Sequence, residues 1–100
     1  MTQMRVIARR TLREFLDRHP QAVQPLKSWF KEASNADWKG PVDVKRLYRY
    51  ASVIAGNRVV FNVGGNKFRL VVQINYEFRI VYVRFVGTHA EYDKIDAETI

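Results

Sequence analysis

Thr88-His89-Ala90-Glu91-Tyr92 holds the residues of this chain best suited to moving protons. Its Thr-x-x-Glu spacing is that of a capping box, so a short helix is predicted to start there. With Thr88 as N-cap, His89 and Tyr92 lie three apart on one face of that helix. A histidine and a tyrosine alone are more often surface or packing residues. Arginines add the missing half. Arg69 sits mid-strand on the face opposite Phe68, Leu70 and Val72, and Asn62 points away from the core by the same alternation from Phe61 and Val63. Arg84 interrupts the most apolar strand, between Tyr82-Val83 and Phe85-Val86, and its face stays open. A solvated outer sheet face would look the same. Two arginines beside a helix presenting His89 and Tyr92, however, make a basic surface suited to phosphoryl chemistry on RNA. Guanidinium forks bind phosphate bidentately and offset charge developing in the transition state.

Metal chemistry finds thin support. His89 and Asp93 are at i, i+4 with Glu91 between them, yet the chain has no cysteine and only His19 besides, in another element. No metal or other cofactor is expected. Acyl-transfer triads, phosphate loops and dinucleotide fingerprints are absent, because Gly64-Gly65 reads as a hairpin turn with no helix opening after it.

The elements that must position these residues follow from periodicity. Met4 to Ala8 reads as a short edge strand. Leu12, Phe15 and Leu16 make an amphipathic helix over 9–18, stopped by His19-Pro20. A second helix should turn Val23, Leu26, Trp29, Phe30 and Ala33 inward, with Pro25 in or near its first turn. Residues 35–41 read as a loop, and Val44 to Tyr50 as at most one helical turn. From Arg58 the period becomes two: strand 58–63, a hairpin at Gly64-Gly65-Asn66-Lys67, strand 68–76, a turn at 77–79, and strand 80–86. The expected fold is α+β: two N-terminal helices packed on a twisted, mainly antiparallel four-stranded sheet, in the order β-α-α-β-β-β with a short C-terminal helix. No linker or repeat divides residues 1–100, so one domain is expected.

Charge narrows the partner. Seventeen Lys and Arg against ten Asp and Glu give +7, and four of the acids (Glu91, Asp93, Asp96, Glu98) fall in the last ten residues. Residues 1–90 hold sixteen basic against six acidic residues, or +10. Such an excess favours a polyanion through counterion release. An acidic protein partner is the bland alternative. No signal-peptide pattern, membrane span or basic interfacial helix is visible, so a cytoplasmic protein without a membrane partner is expected.

Val60-Phe61-Asn62-Val63-Gly64-Gly65-Asn66-Lys67-Phe68-Arg69-Leu70 and Tyr82-Val83-Arg84-Phe85-Val86-Gly87-Thr88-His89-Ala90-Glu91-Tyr92-Asp93 together resemble the signature of HigB-family toxins, in the RelE/ParE-like superfamily. Leu12-Arg13-Glu14-Phe15, His19-Pro20 and Ala36-Asp37-Trp38-Lys39 fit the N-terminal half of that family. The resemblance spans roughly residues 4–97 and is least distinctive over 44–55.

The resemblance implies a RelE-like fold and a ribosome-dependent endoribonuclease that cuts messenger RNA, an mRNA interferase of a type II toxin-antitoxin system. It further implies a HigA-type helix-turn-helix antitoxin as partner, with operator DNA reached only through that antitoxin. Carried over by position, Arg69, Arg84, His89 and Tyr92 are the catalytic set. The implied chemistry is metal-free attack of the RNA 2′-hydroxyl on its adjacent phosphate, with His89 or Tyr92 moving protons and the arginines holding the phosphate. Asn62, Lys67, Arg9, Arg10 and Arg13 are candidate RNA contacts. The same superfamily includes ParE-like toxins that inhibit DNA gyrase without nuclease activity. Retention of Arg69, His89 and Tyr92 together favours the nuclease.

Overall fold

The computed structural model describes residues 3–8 and 10–100, the side chain of Thr11 excepted. The chain runs through β1 (Arg5–Ile7), α1 (Arg10–Arg18), a 3-10 turn (Pro20–Ala22), α2 (Val23–Asn35), α3 (Pro41–Leu47), β2 (Ser52–Ile54), β3 (Arg58–Val63), β4 (Phe68–Asn75), β5 (Ile80–Thr88) and α4 (His89–Tyr92). The sheet has five strands in the order β1-β5-β4-β3-β2, with β1 parallel to β5 and the other pairs antiparallel. The fold is therefore α+β with a mixed sheet.

Alternation decides which sheet face meets the helices. Val59, Phe61 and Val63 of β3, Phe68, Leu70, Val72 and Ile74 of β4, and Val81 and Val83 of β5 all enter the core. From the other side come Phe15 of α1 and Leu26, Trp29 and Ala33 of α2, with Leu12 and Leu16 partly buried. The Phe15 ring meets Phe68 edge-on at 5.6 Å, and Trp29 meets Phe61 at 5.5 Å. Pro25 falls in the first turn of α2, where its missing N–H leaves no bond unmade.

Four expectations are corrected. The sheet has a fifth strand, β2, whose three residues, two exposed and one partly buried, are too few to show an alternation. Pro41 to Leu47 form a full short helix, opened by Gly40 at the N-cap and Pro41 at N1. Phe30 is 45 % exposed, because the buried stripe of α2 is the narrow i, i+3, i+7 row of Leu26, Trp29 and Ala33. Tyr76 lies past the end of β4, in the turn before β5.

Candidate active site

The outer face of the sheet carries the polar side chains. Asn62 of β3 stands directly across from Arg69 of β4, and Arg69 directly across from Gly87 of β5. Cross-strand partners share a face, so these three form one row. Gly87 keeps that row open. A Cβ there would meet the Phe85 ring at 2.6 Å and the Glu91 Cβ at 3.2 Å. The hairpin beside the row needs three successive left-handed residues, Gly64, Gly65 and Asn66, at φ of 64°, 59° and 81°. The Asn66 carbonyl accepts a hydrogen bond from Arg69 Nη1 at 3.3 Å, which steers the guanidinium towards the turn.

The capping box forms as the sequence predicts. Thr88 Oγ1 accepts from the Glu91 N–H at 3.2 Å, and Glu91 Oε1 accepts from the Thr88 N–H at 2.8 Å. The second bond is the main cause that holds the Glu91 carboxyl below its usual range, with Arg18 at the end of α1 and His19 just past it adding smaller attractions. The His89 N–H also donates to the Lys67 carbonyl at 3.3 Å, so the single turn of α4 is tied to the β3–β4 hairpin. This places Tyr92 against Arg69, its ring centre 6.0 Å from the guanidinium carbon. His89 faces solvent, with Nδ1 3.3 Å from Asp93 Oδ2. Asn62, Lys67, Arg69, His89 and Tyr92 thus surround one end of the outer face.

Arg84 stands elsewhere. Val71 pairs with Phe85 and Val72 with Val83, leaving Arg84 as the extra residue of a β-bulge in β5. Its Nε and Nη2 donate to Gln73 Oε1 at 3.1 and 2.6 Å, and its guanidinium lies 5.5 Å from the Tyr82 ring centre. Gln73 is four residues along β4 from Arg69, about 13 Å of strand. The expected joining of both arginines at one phosphate is corrected on that geometry. The C-terminal segment also returns towards this far end, where the Ile100 carbonyl oxygen accepts from Arg58 Nε and Nη2 at 3.2 and 2.8 Å. Arg10 and Arg13 are exposed on α1, and Arg10 lies about 12 Å of helical rise from Arg18, the end nearer α4. Arg9 lies outside the described residues.

Among the described residues no three His, Asp or Glu side chains converge as metal ligands. A feature that sequence reasoning passed over lies beside Asn62. β2 pairs with β3 only as far as Val60, and past that point a cleft of about 460 Å3 opens between the hairpin and residues 47–51. Those five residues carry no period that would mark a site.

A one-turn helix that sets a tyrosine against a strand arginine and carries an exposed histidine on the same turn is an arrangement suited to acid–base chemistry beside an anion. A model of HigB_toxin, described as a RelE-like toxic component of a toxin-antitoxin system, matches residues 22–95. The chain belongs to this family of toxins. Among curated relatives, the mRNA interferase toxin HigB of Escherichia coli K12 is 29% identical over 90% of this chain and 88% of its own length. The mRNA interferase HigB of Shigella flexneri matches to the same extent. That of Escherichia coli O6:H1 is 24% identical over 92% of this chain and 91% of its own length.

Proposed function

We propose that this toxin is a metal-independent mRNA interferase, acting on messages at the ribosome and neutralised in the cytoplasm by a HigA-type antitoxin. The observation that carries the reading is Arg69 facing the Tyr92 ring, in register with Asn62 and beside the helix turn that presents His89. The names of the relatives supply the substrate class, and the net charge of +7 suits a polyanion. No helix among the described residues is long and apolar enough to cross a membrane.

The chemistry these groups support is an internal transfer. The ribose 2′-oxygen forms a bond to the adjacent phosphorus while the bond from phosphorus to the 5′-oxygen breaks. One of His89 and Tyr92 takes the 2′-hydroxyl proton, and the other protonates the departing 5′-oxygen. Arg69 holds the phosphate and offsets charge on its non-bridging oxygens. Asn62 and Lys67 flank the strand. Arg84, bonded to Gln73, serves as a contact further along the RNA.

The test is to induce the toxin alone and sequence message ends. Fragments ending in a 2′,3′-cyclic phosphate with a 5′-hydroxyl downstream are expected, formed equally well in purified translation after chelation matched for ribosome integrity. Intact messages with arrested replication would give the gyrase reading instead.

A further inference from the structure

The cleft at the free edge of β3 has the construction of a binding site. Its floor is fixed: the Tyr48 ring packs 5.0 Å from Phe61, and its hydroxyl donates to Glu32 Oε1 at 2.7 Å. Its rim is fixed as well. Lys45 Nζ donates to the carbonyls of Arg49 and Ala51 at 2.8 and 2.7 Å, clamping the loop on both sides of Tyr50. That clamp holds up a tyrosine 77 % exposed, with the Arg49 guanidinium 5.5 Å from its ring centre, next to Leu47 at 48 % exposed. The opposite wall is polar, formed by Asn62, Gly65 and Asn66. A volume of about 460 Å3 falls within the roughly 300–1,000 Å3 of clefts that hold small organic groups.

We propose that this cleft takes one unpaired base of the RNA strand, next to the phosphate held at Arg69. This rests on the nuclease reading above. Two features select the occupant. Asn62 belongs to both places, lining the cleft and standing across from Arg69, so a strand gripped at Arg69 has the cleft within its next nucleotide. The lining is also complementary to a nucleotide: an aromatic face and a guanidinium plane for stacking, amides for a base edge, and no acidic residue among the described lining residues. Tyr50 stacks on the base, Arg49 covers the other side or the neighbouring phosphate, and the Asn62 and Asn66 amides read the base edge.

Tyr50→Ala removes an exposed ring, so the fold survives. Its KM on a translated reporter message should rise about tenfold, the size expected for one lost base stack, with kcat little changed. Tyr50→Phe should restore it, and Asn62→Ala should flatten the base preference around the cut. A second measurement does not need cleavage. A short single-stranded RNA with every 2′-hydroxyl methylated, titrated into the wild-type toxin, should shift the side-chain amide resonances of Asn62 and Asn66. Unmoved resonances, or a Tyr50→Ala variant with wild-type KM and cut-site profile, overturn the proposal. Loss of antitoxin affinity in Tyr50→Ala with cleavage unchanged would also overturn it, assigning the surface to a protein. Wild-type toxin that binds the methylated RNA through these amides but cuts nothing would sink the nuclease reading alone.

Discussion

Arg69 and Tyr92 come from different elements, a central strand and a single helical turn, yet their guanidinium carbon and ring centre lie 6.0 Å apart. That separation is at the outer limit of a cation–π contact. The arginine is set by the sheet, whereas the tyrosine is set by the cap at Thr88 and by the His89 N–H bond to Lys67. The site therefore depends on how firmly α4 docks.

Arg69→Ala should leave the fold intact, because the side chain points away from the core formed by Phe68 and Leu70. Cleavage should fall on the order of 10²–10³, about 2.7–4 kcal/mol, as for loss of one electrostatic donor. Arg69→Lys keeps the charge but loses the fork, and should fall between. Growth arrest by a folded, antitoxin-binding Arg69→Ala at wild-type strength would remove Arg69 from the centre.

If His89 and Tyr92 form one proton-transfer pair, their losses are not additive. His89→Ala and Tyr92→Phe should each slow cleavage by roughly 10²–10⁴, and the double variant by much less than the product. Single-turnover rates on ribosome-bound message measure this. Multiplying losses would mean the two residues act separately.

For Arg84 the geometry predicts a mild phenotype. Arg84→Ala breaks the bonds to Gln73 and the contact with Tyr82 on the far part of the face. Single-turnover cleavage should stay within a few-fold of wild type, while affinity for long RNA falls and its salt slope shallows by about 0.7 for one lost phosphate contact. A rate loss matching that of Arg69→Ala would put Arg84 at the reacting phosphate after all.

Local signals in the sequence predicted much of this. The spacing of Leu12, Phe15 and Leu16 defined the inner side of α1, the alternation from Phe68 to Ile74 put Arg69 outward, and Thr88-x-x-Glu91 marked the start of α4. Each is a rule about residues one turn or one pleat apart. Arg84 defeated the same reasoning because a bulge breaks the alternation on which it depends. The cleft at Tyr50 was illegible for another reason. It is made by Lys45 reaching two loop carbonyls and by a strand that ends early, and neither leaves a period in the sequence.

The cap on α4 makes the site sensitive to acid. Glu91 has its folded pKa depressed, first by the Thr88 N–H, so the stabilisation it supplies is present above the ordinary carboxylate value of about 4.3. That stabilisation disappears as pH falls through the folded value. Glu91→Gln cannot titrate. At neutral pH it should therefore be less stable than wild type, and in acid the two should converge. Thr88→Ala, which removes the other half of the box, should cost about 1 kcal/mol, and Thr88→Ser should recover most of it. Because α4 holds Tyr92 against Arg69, both damaging variants should also slow cleavage at neutral pH, the Thr88 variant at every pH where the protein is folded. Thermal unfolding across the pH range, with amide exchange at residues 89–92, would measure both effects. A stability gap between wild type and Glu91→Gln that stays constant into acid would show that the carboxylate bond at Thr88 is not what secures this turn.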